Sequence, residues 1–303
     1  NVTGVQTCAL PIYRHMIAMK RIIDPVGEAK SDYDIFTGLS ERLGVKDKFT
    51  EGRNEMAWLR YLYDEAIKRA RVFDITLPSF EAFWAEGLFE VPPPDEPPVM
   101  LKKFRADPVG KKLPTPSGKI EITSPTIGSF NYADCPAHPA WFEPAEWLGS
   151  PLTKKFPLHL MSHQPVTRLH SQYDHGSYSQ SMKVQGREAV TLHPADAAER
   201  DIKAGDVVRV FNDRGACLAG VRIDDGVRQG VAVLPTGAWF DPLDVNDVAK
   251  LEKHGNPNVL TLDKGTSKLT QGSIAHTALV EVELFTGELP RITAFDAPAI
   301  VTR

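Results

Sequence analysis

The sequence predicts a mixed α/β chain that turns mainly β in its C-terminal part, where the strands close, or nearly close, a barrel. Three observations carry this. Apolar residues recur at helix spacing between Ser31 and about Gly87. The stretch VPPPDEPP at 91–98 admits neither helix nor central strand, because proline lacks the amide donor and fixes φ; it reads as a linker or surface crossing. After Thr115, short β-rich runs alternate with Gly, Pro, Asn and Asp.

The N-terminal segment 1–12, NVTGVQTCALPI, fails as a signal peptide: its apolar patch is short and no cationic stretch precedes it. Residues 2–12 resemble the in-frame translation of a common short-read sequencing adapter. The expectation is an artefact over 1–12, with genuine protein from near Tyr13 and Cys8 not a real cysteine. The chain is then a C-terminal fragment whose leader region, such as a twin-arginine signal, lies outside it.

Between residues 13 and 114 the pattern is helical and reads as packing. Ile35, Phe36, Leu39 and Leu43 mark a helix over 34–43, stopped by Gly44. Leu59, Leu62, Tyr63, Ala66, Ile67 and Ala70 fall on one face of a second helix. A third runs over 79–86, with Ser79 as N-cap and Gly87 past its end. Residues 115–150 connect this part to the domain at 151–303. Strands are expected at KIEIT (119–123), FPLHLM (156–161), AVTLHP (189–194), DVVRVFN (206–212), CLAGVRI (217–223), GVAVLP (230–235) and HTALVEVEL (276–284). DRG (213–215) and DDG (224–226) fit hairpin turns whose glycines supply positive φ. One helix interrupts from Pro194 to about Asp201, with Pro194 in its first turn.

Composition narrows the function classes. The 303 residues are 42% hydrophobic and 24% charged, which excludes disorder, collagen and coiled coil. That length suggests about two domains and a sizeable core. A net charge of −4 without a basic run argues against nucleic acid, whose phosphates need clustered cations. No apolar stretch reaches the roughly 20 residues needed to span a bilayer. Cys8, Cys135 and Cys217 form no CxxC pair, so neither a zinc site nor a disulfide framework is supported.

Five of the nine histidines fall between 159 and 193. His159 and His193 lie in strand-like runs and read as packed or capping residues. The segment SHQPVTRLHSQ (162–172) has no strand or helix period and concentrates Ser162, His163, Gln164, Thr167, Arg168, His170, Ser171 and Gln172. Such a loop suits an anionic, hydrogen-bonding ligand: Arg168 offers a fork to phosphate, and glutamine reads a heterocycle edge. An ordinary polar turn is the alternative. Neither zinc spacing nor a nucleophile elbow accompanies it. A second polar segment, HGNPNVLTLDKGTSKLTQGSIAHT (254–277), breaks regular structure at Gly255, Pro257, Gly265 and Gly272. Its turns can form anion nests, and Asn256, Asn258, Thr266, Ser267 and Gln271 add uncharged donors and acceptors. It contains neither a P-loop nor GxGxxG.

TPSGKIEI (115–122), CPAHPAWFEP (135–144), PLHLMSHQPVTRLHSQ (157–172), HPADAAERDIKAGDVVRVFNDRG (193–215) and HGNPNVLTLDKGTSKLTQG (254–272) resemble the C-terminal region of the dimethyl-sulfoxide-reductase family of molybdopterin oxidoreductases. The likeness covers nearly everything after Tyr13 and looks closest to the trimethylamine-N-oxide and biotin-sulfoxide reductase branch. It implies a double-psi β-barrel, the molybdopterin-dinucleotide-binding domain, over 151–303, preceded by a helical tail of the central α/β domains. It implies the cofactor molybdenum bis(molybdopterin guanine dinucleotide). Ser162, His163, Gln164, Arg168, His170, Ser171 and Gln172 would contact one dinucleotide, and Asn256, Asn258, Gln271 and Gly272 would lie against pterin and phosphate parts.

The implied reaction of the intact enzyme is two-electron reduction of an S- or N-oxide, such as trimethylamine N-oxide, dimethyl sulfoxide, or biotin or methionine sulfoxide, with oxygen passing to molybdenum. Implied partners are that substrate, upstream domains of the same parent chain and a cytochrome electron donor, in a bacterial periplasm or cytoplasm. The branch takes its serine metal ligand from an upstream domain, so no metal ligand and no catalytic residue is assigned here. HPAW (138–141) suggests either a substrate-funnel wall or, preferred, a buried packing role for Trp141. Two other readings stay open: a stand-alone barrel that binds a nucleotide-like ligand without redox chemistry, and a family member acting on formate or nitrate.

Overall fold

The computed structural model describes residues 4–7, 14–94, 96–97, 99–247, 250–274 and 277–297. The expected adapter segment and the start of the last expected strand, at 276, lie largely outside them. The chain divides into two compact units, Asn1–Ile120 and Glu121–Arg303.

In the first unit, strands β1 (Gly4–Thr7) and β2 (His15–Met19) join a later strand, β3 (Leu88–Glu90), in an antiparallel sheet of order β1-β2-β3. Helices α1 (Asp32–Arg42), α2 (Lys46–Thr50), α3 (Glu55–Arg71) and α4 (Phe80–Glu86) lie between β2 and β3. The caps explain the helix bounds. Ser31 accepts from the Asp34 amide, which starts α1 two residues before the expected position. Ser79 accepts from the Ala82 amide, and Gly87 ends α4 at φ 87°, as the sequence predicts. Asn54 accepts from the Ala57 amide and starts α3. The α3 face packs through Tyr63, which stacks on Phe83 at 5.0 Å and meets Phe80 edge-on, with Met16 and Ala18 from β2 in the same cluster.

The second unit opens with irregular chain and α6 (Pro125–Ser129), which follows the short α5 (Lys102–Ala106) of the first unit. Then come β4 (Leu158–Met161), α7 (Ser177–Ser181), β5 (Ala189–Leu192), α8 (Pro194–Ala198), β6 (Val207–Phe211), β7 (Ala216–Ile223), β8 (Val231–Val233) and β9 (Ala278–Leu284). Six strands close a barrel in the order β4-β8-β5-β7-β6-β9, in keeping with the double-psi barrel that the resemblance implies. Pairs β4·β8 and β5·β7 are parallel and the other four are antiparallel. Alternate residues point inward: Leu158 and Leu160, Val190 and Leu192, Val208 and Val210, Val280 and Val282 form one buried core. Each fully buried Leu or Val contributes about 1.5–3 kcal/mol. Pro194 opens α8, and His193 caps it, its Nδ1 accepting from the Ala195 amide at 3.1 Å.

Four sequence expectations need correction. KIEIT (119–123) is not a strand: Ile120 and Ile122 are exposed, and Thr115 closes a tight turn onto the Lys119 carbonyl. DDG does not make a hairpin, because β7 and β8 are not paired; Asp224 instead accepts from the Gly226 amide in a local turn. DRG does join the antiparallel β6 and β7, but the glycines of both turns are absent from the positive-φ positions, so neither turn needs glycine's conformational freedom. Trp141 is 81% exposed rather than buried.

Candidate functional site

Strands β4 and β8 run parallel and adjacent, so the loops that follow them leave the barrel side by side. The pairing extends past the strand ends, with the Leu234 amide donating to the Met161 carbonyl at 2.9 Å and the Thr236 amide to the His163 carbonyl at 2.9 Å. The sequence-singled 162–172 loop is therefore zipped to 234–240, a segment that sequence reasoning missed. The approach is close at Gly237, which has φ 89°; a Cβ there would meet the His170 carbonyl oxygen at 1.9 Å. PTGAWF (235–240) carried a weak signal, one Gly and one Trp just after a strand, but nothing local indicated which loop it meets.

The other polar segment reaches the same place. Backbone bonds from the Leu218 amide to the Glu252 carbonyl and from the Glu188 amide to the His254 carbonyl lay residues 252–254 along the barrel wall. The result is a cavity of about 510 Å³ lined by His170, Ser171, Thr236, Gly237, Ala238, Trp239, Phe240, Asn256 and Asn258. Four predicted residues, His170, Ser171, Asn256 and Asn258, thus share one wall system. Ser162 is buried where β4 ends, and His163, Gln164 and Gln172 stand exposed on the loop. His170 adopts the left-handed φ of 50°, where its amide donates to Gln164 Oε1 at 3.0 Å. Gln271 and Gly272 are not among the lining residues. They belong to a separate turn in which the Thr266 amide donates to the Gly272 carbonyl and the Lys268 amide to Asp134.

Arg168 is placed differently from the expected phosphate fork. Its side chain is 1% exposed and its donors are spent inside the chain, on the Thr236 carbonyl at 2.9 Å, the His170 carbonyl at 3.1 Å and Glu188 at 2.7 Å. Glu188, Asp174 and Lys183 complete a buried cluster behind the cavity. The Lys183 ammonium lies 2.9 Å from Asp174 Oδ1, an ion pair whose angle falls short of a good hydrogen bond. Asp174 Oδ2 accepts from the Trp239 amide at 2.9 Å, and the Trp239 indole N–H donates to the Ser171 carbonyl at 2.7 Å.

A second carboxylate anchors the asparagine turn. Glu252, fully buried, accepts from the amides of Asp241, His254, Gly255 and Asn256 at 2.7–3.1 Å. Burial pushes its carboxyl up to about 7, against the pull of these four N–H groups toward the ionised form. His254 is pushed down by burial and by the Lys183 charge, so it is neutral near pH 7. Its Nδ1–H donates to the Trp239 carbonyl at 2.9 Å, while its buried Nε2 has no hydrogen-bond partner among the described residues. No group of three or more potential metal ligands occurs among the described residues.

The lining offers hydroxyl, amide and imidazole groups around an indole, and no lysine or arginine. That donor set fits the amino- and oxo-bearing edge of a fused heterocycle better than a bare phosphate. The family described as "Molydopterin dinucleotide binding domain" matches residues 158–279. This stretch is a molybdopterin-dinucleotide-binding domain. It holds β4 through β8 and both polar segments as far as Ala278 and Leu279 of β9.

Beyond this domain, the chain is 48% identical over 286 residues to the dimethyl sulfoxide/trimethylamine N-oxide reductase of Cereibacter sphaeroides, covering 94% of the chain and 35% of that protein. It is 49% identical over 274 residues to the biotin sulfoxide reductase of the same organism, covering 90% of the chain and 36% of that protein. The trimethylamine-N-oxide reductase of Haemophilus influenzae is 44% identical over 284 residues, with 34% of it covered. The resemblance to the dimethyl-sulfoxide-reductase family therefore stands along the helical unit as well as the barrel. The chain spans about a third of the length of these relatives. The solved structure of acetylene hydratase from Pelobacter acetylenicus superposes with a TM-score of 0.68 over 93% of this chain and 36% of its own, at 18% identity, a likeness of fold.

Proposed function

We propose that this chain is the C-terminal part of a molybdenum oxidoreductase that reduces S- or N-oxides, and that its barrel grips the molybdopterin guanine dinucleotide. The observation that carries the reading is the convergence of two distant polar segments on one cavity, where the 234–240 loop packs so close to the first of them that a Cβ on Gly237 would strike the His170 carbonyl. The residues fit such a group: Trp239 presents a ring for stacking, and Ser171, Asn256 and Asn258 present donors and acceptors for a heterocycle edge. When bound, molybdenum with its dinucleotides supplies the two-electron redox chemistry. The chain's own residues orient the organic part and exclude water from it. Ser162, His163, Gln164 and Gln172 extend the contact along the loop, and Gln271 with Gly272 reach it from their separate turn. Arg168 acts from behind the wall and not as a phosphate ligand.

Trimethylamine N-oxide, dimethyl sulfoxide, biotin sulfoxide and methionine sulfoxide are the substrates this reading assigns to the full-length parent. Upstream domains would complete the site, in keeping with the exposed Ile35, Phe36, Leu39 and Leu43, which argue against a stand-alone module. A periplasmic location and a cytochrome donor belong to the same reading. The test is turnover of these oxides by the full-length parent with a reduced dye, together with molybdenum and guanine nucleotide assayed per polypeptide. Both components should be present and turnover should vanish when molybdenum is withheld. Undiminished turnover without molybdenum would overturn the reading.

A further inference from the structure

The members of the charged cluster behind the cavity do not line it, yet they bond to each of its walls. Arg168, Asp174, Lys183 and Glu188 carry two positive and two negative charges, and their side chains are at most 5% exposed. Buried charge on this scale costs several kcal/mol per ion unless each partner is met, and an apolar set of similar volume is often no less stable. Stability alone is therefore a weak reason for it. Its connections point to another.

The guanidinium of Arg168 bridges two walls, donating from Nε to the His170 carbonyl and from Nη2 to the Thr236 carbonyl. Asp174 takes the Trp239 amide. The Glu188 backbone takes hold of the asparagine turn through the His254 carbonyl, where Gly255 has φ 94° and a Cβ would strike Glu188 at 2.7 Å. Thus the 168–171 loop, the 236–239 loop and the 254–258 turn are each tied to one member of a single electroneutral cluster. A planar fork that spans two carbonyls at fixed separation is a spacing element that neither lysine nor an apolar side chain can reproduce.

We propose that this cluster, with Arg168 at its centre, is a positioning device that sets the separation of the cavity walls and thereby how long the dinucleotide is retained. The inference rests on the dinucleotide reading above. Partners that orient metal ligands without touching the metal change its affinity by roughly tenfold or more, and the same scale is expected for walls that hold an organic group.

The experiment uses the full-length parent as purified, with three proteins: wild type, R168M, and R168M/E188M. The single substitution leaves one positive against two negative charges, whereas the double restores one against one. Two quantities are read: guanine nucleotide retained per polypeptide over time after dilution, and the thermal midpoint. The expected result is that R168M loses its nucleotide at least about tenfold faster and melts lower, and that R168M/E188M recovers the thermal midpoint but not the retention. Recovery of both together would mean that the cluster is only structural, and unchanged retention in R168M would mean that it does not position the cavity; either overturns the proposal. Wild type that carries no guanine nucleotide would instead defeat the dinucleotide reading itself, so the two failures are distinct.

Discussion

In the barrel, Leu158, Leu160, Val190, Leu192, Val208 and Val280 are at most 1% exposed, whereas in the helical unit Ile35, Phe36, Leu39 and Leu43 of the first helix and its end are 48–67% exposed. Both sets sit on faces with the correct period for their element. The barrel meets its own demand because six strands close on themselves and every inward side chain finds another. The helix α1 has an apolar face that the described residues of its unit leave about half uncovered. Period identifies which face seeks burial; closure of the topology decides whether the chain itself provides it.

The largest effect should come from the closed side. Leu160→Ala removes a fully buried side chain from a core that cannot collapse without opening the barrel. A loss of about 3–5 kcal/mol in chemical denaturation of the chain is expected. A loss below about 1 kcal/mol, typical of an exposed site, would break the contrast.

The polar interior gives the next largest effect. Glu252 has a folded-state pKa raised to about 7 from 4.5. The folded state then holds the proton more tightly, so this contribution is complete below pH 4.5 and is lost as pH rises through 7. The shift corresponds to about 3 kcal/mol. His254 acts in the opposite sense: its lowered value favours the folded state above 6.5 and is lost as pH falls. Comparing wild type with Glu252→Gln separates the two, because His254 is common to both. Stability of the wild type relative to the variant should decline between pH 4.5 and 7 and then level off. Parallel pH curves would show that the four amide bonds hold Glu252 ionised throughout.

The helical unit has its own local determinants, and these should be worth less. Ser79→Ala leaves the first turn of α4 without its cap, for about 1 kcal/mol. Hydrogen exchange at the Ala82 amide should accelerate accordingly, and unchanged protection there would show that tertiary packing of Phe80 and Phe83, not the cap, holds the turn.

How far the sequence alone reaches follows the same division. Strands β5, β6, β7 and β9 are legible because alternation and bounding turns are local properties, and so are Ser79, Gly87 and Pro194 at helix ends. KIEIT has β-type residues but joins no strand among the described residues, and β-propensity alone leaves it irregular. Both polar segments stand out by composition, and the structure brings parts of each to one cavity. Their meeting with 236–240 is not legible, since it depends on parallel pairing of β4 and β8, which lie about seventy residues apart in sequence. Arg168 sits where the sequence alone could not place it. A loop arginine reads as a ligand for anions, but its carboxylate partners at 174 and 188 lie in other segments, and only the fold shows that they enclose it.

The smallest effect should fall on the uncovered face, and it bears most directly on why that face is apolar. Leu39 is 48% exposed on α1, so Leu39→Lys forfeits little burial within the chain. Lysine is a good helix former, and the change in unfolding free energy should stay within about 0.5 kcal/mol. Light scattering should nevertheless respond, with reduced self-association of the 303-residue chain as the apolar stripe is interrupted. In the full-length parent that we propose, where upstream chain would cover this face, the same substitution should lower stability instead, because a charge would be buried without a partner. Small effects in both proteins would mean that the face is exposed in the parent too, and the contrast between a self-sufficient barrel and a dependent helical unit would lose its basis.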